Sequence, residues 1–277
     1  MVRRSILFSP GDKPELLRKA PASGADVLTF DLEDAVPPGQ RETGRTSVRE
    51  VLSDSDPSCE LCVRINPLAD GGRLDLDAIL EVPEAIDSIM LPKVSSPDDV
   101  RTLREELANR GVEWSILPLI ETAAGVLTAP AIAAESNVDG LILGAEDLAA
   151  EIGATRTKTG EEITYARQRV VLAASAAGID AIDTPVADFE DTALLETDTT
   201  RSVRLGFDGK LAIHPAQVSV INAAYTPGED EIDWAVRVLD ARDETDDGVF
   251  VVDGEMIDAP LIAQAERILE RADEAEN

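Results

Sequence analysis

Charged side chains recur in this chain at the ends of short aliphatic runs. They are Asp31, Glu33 and Asp34, then Arg64, Lys93, Glu121, Glu146 and Asp147, Asp183 and His214. Carboxylates outnumber cations in that set, and like charges gathered in one cleft raise one another's pKa values unless a cation neutralises them. A hard divalent ion would do so. Mg²⁺, with Mn²⁺ as the alternative, takes one or two protein carboxylates and leaves positions for water and substrate oxygens. Zn²⁺ favours His and Cys, which the set nearly lacks. Glu121 and Asp147 end successive runs and are the expected ligands.

A repeating unit must position these residues. Eight runs, at 5–10, 27–34, 61–66, 88–93, 115–122, 140–147, 179–185 and 210–215, are each followed by a turn and a helical stretch. Asp12-Lys13-Pro14 and Ser95-Ser96-Pro97 mark helix starts, and Gly24, Gly111 and Gly178 stand where helices should end. Strict β/α alternation predicts a (β/α)8 TIM barrel, an α/β fold of about 250 residues. An open doubly wound sheet also alternates, but no Gly-rich phosphate loop follows the first run. In a barrel the charged run ends share the carboxyl rim, where barrel active sites lie.

The expected division is a catalytic barrel over 1–226 and a segment over 227–277. Thr226-Pro227-Gly228 ends a last barrel helix at 217–225 and precedes another at 229–243. A loop at 244–248, a hairpin strand at 249–253 and a closing helix from 259 to about 275 complete a small helical appendage: a lid, a linker or an oligomer contact.

The formal net charge of −30 is spread along the chain and argues against nucleic acid and anionic membranes as partners. Only five of the 25 basic residues are Lys, a bias that resembles proteins of salt-accumulating halophiles. With 3% aromatic residues, the core must be built of Val, Ile, Leu and Ala. Cys59 and Cys62 form a C-x-x-C without a second pair, so packing in a reducing cytoplasm is the expectation. Arg3-Arg4 has the look of a twin-arginine export signal, but no apolar stretch follows, and no run reaches the ~18 residues of a membrane span.

The motifs Phe8-Ser9-Pro10-Gly11-Asp12, Asp31-Leu32-Glu33-Asp34-Ala35-Val36, Val63-Arg64-Ile65-Asn66, Leu91-Pro92-Lys93, Leu119-Ile120-Glu121-Thr122, Gly144-Ala145-Glu146-Asp147-Leu148 and Ala212-Ile213-His214-Pro215 occur in this order. Together they resemble the citrate lyase β-subunit-like (HpcH/HpaI aldolase/citrate lyase) family of CoA-ester lyases, in particular its malyl-CoA lyases. The resemblance implies a Mg²⁺-dependent Claisen-type reaction that makes or breaks a C–C bond between an acyl-CoA and a 2-oxo acid such as glyoxylate. It also implies a homotrimer or homohexamer.

By the family pattern Glu121 and Asp147 bind the metal, in agreement with the choice from coordination chemistry, and Arg64 binds the oxo acid. Glu33, with Asp34, organises the site. Ile213 and His214 border the acyl group. Phe8, Lys13 and Lys19 match CoA-contacting positions; a core Phe and two solvated lysines is the other reading. Asp258, in a segment resembling the lid of malyl-CoA-type lyases, is either the base at the carbon next to the thioester or the cap of the following helix. A thioesterase acting on malyl-CoA and a β subunit working inside a citrate lyase complex are the alternative functions.

Overall fold

A computed structural model describes residues 2–54, 57–245 and 247–276. Met1 of the export-signal reading and Asp246 of the expected 244–248 loop lie outside them. Eight parallel strands form a closed barrel in sequence order: β1 Ser5–Pro10, β2 Val27–Asp31, β3 Glu60–Arg64, β4 Ser88–Leu91, β5 Ser115–Ile120, β6 Gly140–Leu143, β7 Asp180–Asp183 and β8 Gly209–Ala212. β8 closes on β1 through the register Ser5↔Lys210, Ile6↔Leu211 and Leu7↔Ala212. The fold is the expected (β/α)8 barrel.

The helices are α1 Pro14–Leu17, α2 Arg41–Asp54, α3 Gly72–Ile79, α4 Pro97–Asn109, α5 Ala123–Ala133, α6 Ala145–Ile152, α7 Thr164–Ala177, α8 Thr192–Leu205, α9 Pro215–Tyr225, α10 Glu229–Asp243 and α11 Ala259–Glu276. Local signals explain several boundaries. Ser96 and Asp99 close a capping box at α4, with Pro97 in its first turn, and Thr122 caps α5 by accepting the Gly125 amide hydrogen at 2.9 Å. No helix among the described residues is long and apolar enough to cross a membrane.

Residues two apart on a strand share a face. Ile6, Val27, Cys62, Met90, Leu117, Leu119, Ile142, Ile182 and Leu211 thereby meet in one cluster that fills the barrel. Cys62 belongs to this packing, and burial pushes its thiol up to about 12, so it is an inert core side chain. At the amino ends of the strands Arg3 plugs the barrel, reaching Glu60 at 2.7 Å and Asp180 at 2.8 Å. Arg4 binds Asp26 with Nε and Nη2, each at 2.9 Å. Both arginines are held in ion pairs at the foot of the barrel.

The strands end earlier than the runs, because the chain leaves the ladder before it reaches most of the charged residues. Asp183 corrects the sequence reading. Ile182 faces into the barrel, so Asp183 faces outward under the helices. There it pairs with Arg167 at 2.9 Å, Lys210 at 3.0 Å and the Ser202 hydroxyl. Burial alone would raise its pKa, but the Lys210 and Arg167 charges hold it below the usual carboxylate range.

The chain divides into two compact units, one of Arg3–Asn222 and one built mainly of the residues from Ala223 onward. In the second, α10 and α11 pack with an antiparallel hairpin, β9 Phe250–Val252 and β10 Glu255–Ile257. Ala235, Val238, Val252, Ile257 and Ala265 form its core.

Candidate active site

The carboxyl rim holds a cavity of about 390 Å³ whose lining includes Phe8, Asp31, Arg64, Glu121, Asp147 and Ile213. Strand ends and the βα turns that follow them place these residues. At the floor Arg64, ending β3, donates to Asp31 from Nε at 2.7 Å and from Nη2 at 2.6 Å. Its guanidinium carbon lies 4.7 Å from the Phe8 ring centroid, a cation–π contact.

Asp31 also accepts the backbone N–H groups of Glu33 and Ala35 at 2.9 and 3.1 Å, so its oxygens are committed to holding Arg64 and the β2 turn. Burial alone would lower the Arg64 pKa, but the bonds and charge of Asp31 hold it above the ordinary value. The cation is permanent. Arg64 Nη1 is also 3.1 Å from Glu33 Oε2, an oxygen that accepts no hydrogen bond. Burial pushes the Glu33 carboxyl up to about 8 against the pull of Arg64, with repulsion from Asp34 and Glu121 adding to it.

Glu121 and Asp147 stand on the adjacent β5 and β6 sides of the rim. Glu121 Oε1 accepts the Lys93 amide hydrogen at 2.8 Å. Burial pushes its carboxyl up to about 7, while Lys93 pulls it down. The Lys93 Nζ bridges the two acids, 2.6 Å from Asp147 Oδ1 and 3.4 Å from Glu121 Oε1. Gly144 leaves the necessary room: a Cβ there would fall 2.6 Å from Glu121 Cβ and Oε2. Asp147 lies in the first turn of α6, whose Ala145 amide donates to Thr184 Oγ1 at 3.2 Å.

The donor set fits a hard cation. Among the described residues no group of three or more His, Cys, Asp or Glu converges into a closed metal cage. Two carboxylates with a cation already between them match Mg²⁺, which leaves several positions to water and substrate oxygens.

The other expected site residues are placed less centrally. Phe8 lies on the cavity floor under Arg64 rather than at an outer edge. Lys13 and Lys19 are exposed, and Lys13 Nζ is 3.4 Å from Asp12; neither lines this cavity. Ile213 lines the cavity, but His214 stacks on Phe189 with ring centroids 4.6 Å apart, and its Nδ1 accepts the Ala216 amide hydrogen at 3.2 Å. Asn66, which ends the third run, is buried and donates to Leu32 O and Asp75, so its role is to hold the turn. In the second unit Asp258 precedes α11, where its backbone oxygen accepts from Leu261 and Ile262 at 3.1 and 3.0 Å.

The order of these residues along the chain is a family pattern: that of the HpcH/HpaI aldolase/citrate lyase family matches residues 4–215. The chain belongs to this family. Mouse mitochondrial citramalyl-CoA lyase is 35% identical over 287 residues, covering 96% of this chain and 85% of that protein. The (3S)-malyl-CoA thioesterase of Cereibacter sphaeroides is 34% identical, covering 98% and 94%. Among solved structures, the CitE protein of Mycobacterium tuberculosis in complex with magnesium, acetoacetate and coenzyme A matches with a TM-score of 0.85 and 35% identity, covering 98% of each chain.

Three features of this site escaped sequence reasoning: the Lys93 bridge, the clearance at Gly144 and the Thr184 anchor. Lys93 was noted as a run-end cation, but not its reach to both acids. The others depend on contacts between strands and leave no local signal.

Proposed function

We propose that the chain is a Mg²⁺-dependent CoA-ester lyase that reversibly cleaves the C–C bond of a malyl-, methylmalyl- or citramalyl-CoA-type thioester into an acyl-CoA and a 2-oxo acid such as glyoxylate. The observation that carries this reading is the pairing of Glu121 with Asp147 above a fixed Arg64 in one rim cavity. CitE, bound to magnesium, acetoacetate and coenzyme A, and a citramalyl-CoA lyase among the relatives support it.

Glu121 and Asp147 hold the Mg²⁺, which when bound polarises the oxygens of the oxo or hydroxy acid as a Lewis acid. Arg64 supplies a permanent cation where the breaking bond leaves charge on oxygen. Glu33, its carboxyl pushed up to about 8 by burial and in contact with Arg64, keeps the floor close to charge balance. In cleavage the hydroxyl proton goes to a base as its oxygen becomes the carbonyl of the oxo acid. The electron pair of the breaking bond passes to the carbon next to the thioester, which then takes up a proton. Asp258 is the proposed acid at that carbon, and the base in the synthetic direction.

The proposed assembly is a homotrimer or homohexamer in a cytoplasm whose salt screens the chain's self-repulsion. CoA is bound with Phe8, Lys13 and Lys19 near the first βα turn, and Ile213 with His214 borders the acyl chain.

Malyl-CoA incubated with the enzyme and Mg²⁺ should yield glyoxylate and acetyl-CoA in equal amounts, read by trapping the glyoxylate. Free thiol without glyoxylate would instead establish hydrolysis, the second reading, which the thioesterase relative favours. Asp258→Ala should slow the C–C step by about 10²–10⁴-fold, the usual worth of a general acid or base, with Mg²⁺ affinity unchanged. An undiminished C–C step would leave Asp258 only its position at the start of α11.

A further inference from the structure

Among the described residues Lys93 is the one rim cation in contact with both proposed metal ligands, with Nζ 2.6 Å from Asp147 and 3.4 Å from Glu121. A dication bound by the same carboxylates needs oxygen contacts of about 2.0–2.1 Å. An ammonium held against those oxygens would then lie within a few Å of a double positive charge. Their repulsion sets the two in competition for the pair. We propose that Lys93 is a built-in counter-ion that competes with the divalent cation for Glu121 and Asp147, so that metal entry and withdrawal of the ammonium are one exchange. This inference rests on Glu121 and Asp147 being the metal ligands.

Residue 93 is built for that position. Its backbone stands at φ 56, in the left-handed region that a side chain with a Cβ seldom adopts. The same residue donates its amide hydrogen to Glu121 Oε1. Backbone and side chain thus address one carboxylate, and the ammonium reaches across to the other.

The ammonium also has somewhere to go. Lys93 lines a second cavity of about 280 Å³, together with Pro67, Arg73, Asp99 and Thr102. Lys93 is about one-third exposed, so its side chain is not locked by packing. On arrival of the metal it can retract toward Asp99 without disturbing the barrel core.

The consequence has a sign that distinguishes it from a supporting role. If Lys93 merely shaped the site, removing its charge would leave the ligands misplaced and weaken metal binding. A competitor, once removed, strengthens it.

The experiment measures the Mg²⁺ dissociation constant of the full chain by calorimetry, with Mn²⁺ titration by EPR as the second probe, at fixed salt and pH. Lys93→Met removes the charge and keeps the bulk. Lys93→Gly removes the charge and suits the positive φ, which guards against a folding defect. Lys93→Arg keeps the charge. The Met and Gly variants should bind metal about tenfold more tightly or better, the size of one charge-assisted hydrogen bond, while Arg stays near the parent.

Unchanged or weaker binding in variants with parental thermal melts overturns the exchange alone. If the parent binds neither ion, or Glu121→Ala binds as the parent does, the ligand assignment falls and the exchange falls with it.

Discussion

Alanine in place of Glu121 or Asp147 is expected to lower Mg²⁺-dependent C–C cleavage by at least about 10³-fold, because a Lewis acid worth several kcal/mol in the transition state is lost. The barrel should remain folded. Asp147 is partly exposed, and Glu121 is a buried acid whose carboxyl is already pushed up to about 7, so neither removal opens a large apolar cavity. Calorimetry should find Mg²⁺ binding gone in the same variants, and circular dichroism should find their melting temperatures near the parent's. Parental turnover in either variant would remove these residues from the metal site.

The same pair sets a pH dependence. Burial, partly opposed by Lys93, raises the Glu121 pKa, and only the carboxylate form binds a cation. Metal affinity should therefore climb as pH rises toward about 7, by roughly tenfold per unit in the acid limb, and then level off. An affinity that is flat between pH 5 and 8 would contradict it.

The second large effect concerns Arg64. Its two bonds to Asp31 and its position over Phe8 use the planar fork of a guanidinium. An ammonium cannot reproduce them. Arg64→Lys should fold and lose about 10²–10³-fold in kcat, comparable with removal of one transition-state donor elsewhere. Arg64→Met should behave differently. It leaves Asp31, 1% exposed, and Glu33, 7% exposed, without their cation. Breaking a buried pair in this way costs about 3–5 kcal/mol, so a clear drop in melting temperature should accompany loss of activity. Equal stability of the Lys and Met variants would mean that Arg64 does not balance the floor. Parental kcat in the Lys variant would mean that the fork geometry is unimportant.

Much of this site was legible in the chain because its chemistry sits at run ends. Glu121 and Asp147 were the carboxylates that coordination chemistry favoured, and they face each other across Lys93. Arg64 was the obvious rim cation and lies on the cavity floor. Other placements were not legible. Asp183 was grouped with the rim acids and lies under the helices with Arg167 and Lys210. Arg3 closes the foot of the barrel, a placement that no local signal announced.

The amino-acid sequence by itself determined the number and order of the barrel strands, the closed β/α architecture, the packing role of Cys62 and the residue types of the proposed metal pair. These follow from local hydrophobic runs, turn residues and ligand chemistry. Only the tertiary structure decided which way each charged side chain points. Parallel strands covered on both faces are apolar throughout, so the two-residue alternation that would separate inward from outward positions is nearly erased from the sequence. The facing of Asp183, the left-handed turn at Lys93 and the clearance at Gly144 arise from neighbours that meet when the barrel closes.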